Sequence, residues 1–151
     1  MSVEQRLAEL GIVPPDTGTP VANYVLARIS GHRLYVSGHL GKRDGTVVTG
    51  KVDENVGRDE GYQLARAAAV DILGSAHTAL GSLERVRGVI KVTGFVNSSP
   101  AFVEQPAVVN GASDLFVDVF GQRGRHARSS VGVAQLPFGA AVEIEAIFDI
   151  E

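Results

Sequence analysis

The sequence predicts an α+β fold in which a mixed β-sheet carries two helices on one face. Two long segments space their apolar residues as in an amphipathic helix, and several shorter segments alternate apolar and polar residues as in a half-buried strand. The order along the chain is β-β-β-α-β-α-β-β, behind an N-terminal arm. Because 151 residues are enough for one complete hydrophobic core, we predict a single domain over residues 1–151.

The N-terminal arm is predicted over residues 1–20. Its first part, residues 2–10, has the apolar spacing of a short helix, and Gly11 can end that helix. The segment that follows holds three of the six prolines of the chain. We therefore expect it to run extended along the surface of the body.

The two long helices are predicted over residues 59–80 and 102–120, each with an apolar stripe and a glycine after its last turn. The first stripe consists of small and aliphatic side chains, which allow close packing on a sheet: Ala65, Ala68, Ile72, Ala76 and Leu80. The second stripe has larger side chains: Val108, Ala112, Leu115, Phe116 and Val119. Strands are predicted around these helices over residues 24–29, 34–38, 46–48, 86–96, 126–133 and 142–148.

Two helices can cover only one face of such a sheet. Apolar side chains on the opposite face then need another cover, and the predicted elements leave no helix to provide it. We therefore expect copies of the chain to associate through that face with closed symmetry.

The last quarter of the chain predicts a hairpin with one polar face. Alternation puts Arg128 and Ser130 on one side of the first strand and Glu143 on the polar side of the second. A four-residue loop over 136–139 would place Gly132 opposite Glu143, in the register that hydrophobic patterning favours. An arginine, a carboxylate and a gap left by glycine would then share one face, which suits a small anionic ligand.

The composition excludes several classes of function. A net charge of -3 gives no basic field, so we expect neither nucleic acid nor an anionic membrane as a partner. The absence of cysteine excludes disulfides, thiolate metal sites and cysteine nucleophiles. The four histidines lack metal-ligand spacing, so no metal is expected. No apolar run reaches the length of a membrane span and the N-terminus lacks a basic start, so we expect a cytoplasmic protein.

Several motifs together resemble the Rid (reactive intermediate deaminase) family, which is also called YjgF-like and was formerly called endoribonuclease L-PSP. The resemblance covers residues 20–150, nearly the whole chain. Its motifs are Asn23-Tyr24, Tyr35-Val36-Ser37-Gly38, Val92-Thr93-Gly94-Phe95-Val96, Asn110, Ala127-Arg128-Ser129, Leu136-Pro137 and Val142-Glu143-Ile144-Glu145-Ala146. The paired terminal strand motifs are the most specific of these.

The resemblance implies a chorismate-mutase-like fold and a homotrimer whose pockets lie between neighbouring subunits. It also implies hydrolysis of enamine and imine intermediates, such as 2-aminoacrylate, to a 2-oxo acid and ammonia without a metal or organic cofactor. Two other functions are considered: a non-catalytic, chaperone-like trimer that binds a small carboxylate metabolite and, in third place, RNA cleavage.

The resemblance further implies roles for six residues. Arg128 grips the substrate carboxylate through its guanidinium fork, and Glu143 lies near the catalytic water, where it can act as a general base. The other four contact the substrate: Tyr24, Gly38, Asn110 and Ser130. Ser130 stands where many deaminating members have a cysteine, and His126 replaces a common proline.

From the residues alone, five of these roles have a simpler structural alternative. Glu143 could be a solvated or paired carboxylate of its strand. Arg128 could form an ion pair between subunits with a carboxylate such as Glu143. Tyr24 could be a core ring with a satisfied hydroxyl, Asn110 a local cap, and Gly38 a β-bulge.

Overall fold

The large sheet of the computed structural model, which describes all 151 residues, has five strands in the order β1-β2-β7-β5-β6. Its strands are β1 (Ala27–Ser30), β2 (Arg33–Leu40), β5 (Val86–Asn97), β6 (Ala127–Val133) and β7 (Val142–Ile150). A separate ribbon consists of β3 (Lys42–Arg43) and β4 (Thr46–Val47). The β5–β6 pair is parallel and the other pairs are antiparallel, so the sheet is mixed, as predicted.

Three helices accompany the sheet: α1 (Val3–Leu10), α2 (Arg58–Leu80) and α3 (Gln105–Phe120). Every residue of the two predicted apolar stripes is buried, which confirms the helical spacing. The helix α3 begins three residues later than predicted, with Pro106 in its first turn, where the missing N–H costs no helical hydrogen bond. No helix is both long and apolar enough to cross a membrane.

The core lies between the sheet and the helices α2 and α3. Alternate residues of β7 are buried on this side: Val142, Ile144, Ala146, Phe148 and Ile150. No helix covers the other face, where Tyr35 and Val131 are 45% and 42% exposed. The predicted arrangement of two helices on one face is therefore confirmed.

The predicted hairpin of the two terminal strands is wrong. The strand β6 pairs with β5 in parallel, with Gly132 beside Val96, and β7 pairs with the opposite edge of β5. The loop from β6 to β7 crosses the end of β5, where the buried side chain of Asn97 donates to Ala140 O (3.0 Å) and to Gln135 Oε1 (2.6 Å). Glu143 therefore lies beside Phe95 of β5, and Gly132 does not face it.

The shared polar face of these strands is wrong as well. Arg128 is level with Val92 and Ala146, which are buried on the helix-covered side, so its side chain leaves the sheet towards α3. Glu143 leaves from the opposite face. Alternation distinguishes the two sides of one strand, but it does not reveal which side of a distant strand faces the same way. The polar residues Asn110 and Ser113 of α3 receive Arg128 on the covered side.

The N-terminal arm packs on α2. A Cβ atom at Gly74 would overlap the carbonyl oxygen of Pro15, so a glycine is needed where the arm crosses this helix. Two residues further on, Thr17 Oγ1 lies 2.6 Å from Ser75 Oγ. The helix α1 inserts Val3 and Leu7 into the core and ends at Gly11 in the left-handed conformation.

Candidate functional site

Five of the six predicted site residues fall into two groups, each joined by further residues, and one chain does not bring these groups together. The arginine half-site comprises Arg128, Asn110, Ser113 and His126, on α3 and the start of β6. The carboxylate half-site comprises Glu143, Gly38, Tyr24 and His39, which line one cleft of about 320 Å³. Arg128 and Glu143 project from opposite faces of the sheet and their strands are separated by β5, about 10 Å across the sheet.

The guanidinium of Arg128 is held from one side only. Its Nη1 donates to Asn110 Oδ1 at 2.7 Å and to Ser113 Oγ at 3.1 Å. Asn110 is thus a direct partner of Arg128 and not a cap of α3, whose N-cap residue is Glu104. No carboxylate of the chain pairs with Arg128, and its Nε and Nη2 have no acceptor. These two donors can bind a ligand carboxylate as a bidentate fork.

His126 continues the hydrogen-bonded set behind Arg128. Its Nδ1 lies 2.6 Å from the carbonyl oxygen of Gly124, and its Nε2 lies 2.9 Å from Ser113 Oγ. The edge of the ring meets Phe116, with 6.1 Å between ring centroids. Burial lowers the pKa of His126 from its usual value, and the nearby positive charge of Arg128 lowers it further. The imidazole is therefore neutral near pH 7.

Glu143 is a half-buried carboxylate without a partner. It lies in the cleft with intermediate burial, and it forms no hydrogen bond and no ion pair within the chain. Burial raises the pKa of Glu143, and the like charge of Glu145 raises it further. Such a group binds and releases a proton closer to neutral pH than an exposed glutamate does, which is the property required of a general base and acid.

The absence of a side chain at Gly38 leaves room for the carboxylate of Glu143. A Cβ atom at position 38 would lie only 2.9 Å from Cδ of Glu143, so a larger residue would displace the carboxylate. The pairing of β2 with β7 is irregular between Val36 and His39, which is the β-bulge considered from the sequence. Gly38 therefore lies within the β-bulge and is also the residue that the side chain of Glu143 approaches closely.

Tyr24 is not a core residue. Its side chain is 54% exposed and lies between the Glu143 cleft and a larger one of about 790 Å³, so its ring can contact a ligand in either cleft. Ser130 differs from this. Its hydroxyl is enclosed by the chain and has no hydrogen-bond partner, so it is closed to direct contact with a ligand in this structure.

Several residues near the carboxylate were not anticipated. His39 is 8% exposed, its Nδ1 lies 2.6 Å from the carbonyl oxygen of Ser37, and its Nε2 lies 2.8 Å from Ser75 Oγ. Burial lowers the pKa of His39. Asp71 lines the same cleft, with a pKa raised by burial and Lys42 Nζ at 3.9 Å. No sequence spacing connects these residues, because the contacts join segments far apart in the chain.

No group of three or more histidine or acidic side chains is arranged to hold a metal ion.

The chain matches the family model described as "YjgF/chorismate_mutase-like, putative endoribonuclease" over residues 4–145. The chain belongs to this family. The matched region of the YjgF-like chain contains both half-sites, and the mixed sheet with its two long helices is the chorismate-mutase-like fold.

Similar proteins cover almost the whole YjgF-like chain. Protein TCP17 of Trypanosoma cruzi is 49% identical over 150 residues, which are 98% of this chain and 94% of that protein. The 2-iminobutanoate/2-iminopropanoate deaminase of Dermatophagoides farinae is 33% identical over 142 residues, 93% of this chain and 95% of that protein. The crystal structure of Atu1372 from Agrobacterium tumefaciens, whose function is unknown, is 49% identical with a TM-score of 0.90, covering 99% of this chain and 92% of that one.

Proposed function

We propose that this chain is a cofactor-free deaminase of 2-imino acids whose active site forms between two copies. One observation carries the proposal. Arg128 and Glu143 are both free of protein charge partners, yet they leave opposite faces of the sheet and cannot face each other within one chain. A closed homotrimer that buries the uncovered sheet face would bring the arginine half-site of one copy against the carboxylate half-site of the next.

The relative that is named a 2-iminobutanoate/2-iminopropanoate deaminase supports the choice of substrate class. The chemistry of the half-sites supports it as well, because a 2-imino acid offers a carboxylate for the fork of Arg128 and an electrophilic carbon for a water beside Glu143. A net charge of -3 favours a small ligand over RNA.

The reaction balances with water alone. Glu143 removes a proton from water, and the resulting hydroxide adds to C2 of the iminium, which forms the C–O bond and transfers the π electrons to nitrogen. The protonated Glu143 then gives its proton to that nitrogen. As the C–N bond breaks and its electrons pass to nitrogen, Glu143 takes up the hydroxyl proton and gives it to the departing ammonia, so that a 2-oxo acid and ammonium leave. An enamine such as 2-aminoacrylate first gains a proton at C3 to become the same iminium.

A coupled assay tests the activity. A pyridoxal-phosphate-dependent dehydratase generates 2-iminobutanoate in situ, and formation of the 2-oxo acid is measured with and without the protein. We expect acceleration by the wild type and none by Arg128→Ala or Glu143→Gln. The matched controls Arg58→Ala and Glu9→Gln replace exposed charges on helices outside both half-sites and should retain the acceleration. Stabilisation by 2-oxo acids that depends on Arg128, without any turnover, would replace the proposal with a binding function.

Mixing the two inactive variants tests whether the site is shared. If Arg128→Ala and Glu143→Gln chains are unfolded together and refolded at equal ratio, random assembly gives both intact half-sites to about a quarter of all the sites in the sample. We expect activity to return to about that fraction of the wild type. Mixed assemblies that remain inactive would show that the half-sites do not meet between copies.

A further inference from the structure

We propose that His126 is a positioning residue, which acts through Ser113 to hold the guanidinium of Arg128 in the orientation that binds a ligand carboxylate. The inference deepens the proposed function and rests on it for the identity of the ligand. It concerns Ser113 and His126, which lie behind the guanidinium of Arg128.

The direction of each hydrogen bond follows from the geometry. A carbonyl oxygen only accepts, so the 2.6 Å contact of His126 Nδ1 with Gly124 O requires the proton on Nδ1. In the neutral ring Nε2 is then an acceptor, so the hydroxyl of Ser113 donates to it across 2.9 Å. The lone pairs of Ser113 Oγ are left for Nη1 of Arg128 at 3.1 Å.

The groups around His126 keep its imidazole in the neutral form. The charged groups that line its cavity are Arg125 and Arg128, both cations that oppose a third positive charge. The nearby acidic residues of α3 point the other way, because Asp114 accepts from Tyr62 on α2 and Asp118 pairs with Arg66. No carboxylate is therefore close enough to hold His126 in the protonated form.

The arrangement defines which part of Arg128 remains free. Asn110 and Ser113 both hold Nη1, at 2.7 Å and 3.1 Å. Two acceptors on one nitrogen fix the plane of the guanidinium and leave the Nε–Nη2 edge outward. A hydroxyl that donates one hydrogen bond becomes a better acceptor of another. The hydrogen bond that Ser113 donates to His126 therefore strengthens the one that it accepts from Arg128.

The test measures binding of pyruvate, as a stable 2-oxo acid, by wild type and variants. We expect Ser113→Ala to raise the Kd for pyruvate about tenfold, and His126→Phe to raise it similarly. Phenylalanine keeps the ring packing against Phe116 but offers no acceptor. We expect His126→Gln and Ser113→Thr to stay near the wild type, because each retains the lost hydrogen-bonding group.

A general loss of stability is controlled by Ser82→Ala. The Ser82 hydroxyl accepts from the backbone N–H of Glu84 at 3.2 Å, far from either half-site, so this variant should lower Tm and leave the Kd for pyruvate unchanged. Equal Kd values for Ser113→Ala and wild type would overturn the positioning role.

A second readout separates this inference from the proposed function. In nitrogen-15 NMR spectra of the unliganded protein we expect slowly exchanging Nη protons of Arg128 in the wild type, and their broadening in Ser113→Ala and His126→Phe. If the wild type binds no pyruvate, the proposed function fails, whereas these spectra still decide the positioning. Unchanged Arg128 signals in both variants would overturn it.

Discussion

The two half-sites contain the same local arrangement with different third partners. In each, a histidine donates from Nδ1 to the carbonyl two residues before it and accepts at Nε2 from a serine on a long helix. For His39 that serine is Ser75, and for His126 it is Ser113. The serine then contacts either Thr17 of the arm or Arg128. The same histidine–serine pair therefore anchors a chain segment in one place and orients a cation in the other.

The charged groups of the half-sites also differ in how firmly they are held. Arg128 has two protein acceptors on one nitrogen, whereas Glu143 has no hydrogen-bond partner. A fixed cation suits recognition of a carboxylate, and a free acid of raised pKa suits proton transfer. Under the proposed function, substrate binding and proton transfer therefore belong to separate regions, and substitutions can disrupt them one at a time.

The largest expected effect separates these two tasks. Glu143→Gln should lower kcat about a thousandfold and leave the Kd for pyruvate within about twofold, because the amide cannot accept the proton of water. Arg128→Lys should instead raise that Kd about tenfold or more, because an ammonium cannot form the bidentate fork. Steady-state kinetics together with titration calorimetry measure both quantities. If both variants changed kcat and Kd together, the division of tasks would be refuted.

The packing glycines provide the next test. Gly38→Ala should displace the carboxylate of Glu143 and lower kcat about tenfold or more, with a small effect on folding. Gly74→Ala should displace the arm and lower the free energy of unfolding by about 1–3 kcal/mol, since its Cβ overlaps Pro15. Kinetics and urea unfolding measure the two effects. Gly57→Ala is the control, because its Cβ would meet no atom within 4 Å; a Gly74→Ala protein as stable as this control would contradict the packing of the arm.

The smallest effect is a pH dependence that distinguishes the two histidines. Burial lowers the folded-state pKa of both His39 and His126, so below about pH 6.5 the unfolded chain binds more protons and the free energy of unfolding falls. We expect His39→Gln to remove more of the loss between pH 7.5 and 5.5 than His126→Gln, by about 1 kcal/mol, because His39 is the more buried. The raised pKa values of Glu143 and Asp71 have the opposite effect on the free energy of unfolding, and this effect is common to the wild type and both histidine variants. Urea unfolding at the two pH values measures the difference, and a larger change from His126→Gln would reverse the comparison.

Local sequence patterns were sufficient for the elements but not for the pairing of the last strands. The stripes of α2 and α3 and the alternation within β7 are properties of neighbouring residues, and the structure agrees with them. The position of β6 depends on α3, whose crossover places it parallel to β5. Hydrophobic alternation contains no information on that choice, so a hairpin with β7 fitted the sequence equally well.

For the candidate site too, residues could be predicted from the local sequence, but their spatial arrangement could not. Arg128 and Glu143 were found from residue type and motif, but the faces they occupy depend on long-range pairing. Ser113 and Ser75 were not anticipated, because each contact joins a helix to a distant strand or turn. The enclosed hydroxyl of Ser130 could not be foreseen, since the burial of one side chain depends on residues that are distant in the sequence.

The spatial order of the sheet also affects how the protein is made. β7 is the last strand along the chain but lies at the centre of the sheet, between β2 and β5. A nascent polypeptide therefore presents two incomplete half-sheets with unpaired apolar edges until this strand is inserted between them. Non-local closure of this kind slows folding and prolongs the interval in which chaperones or aggregation compete. Substitutions of the buried residues of β7, such as Ile144 or Phe148, should accordingly reduce the yield of native protein in cells.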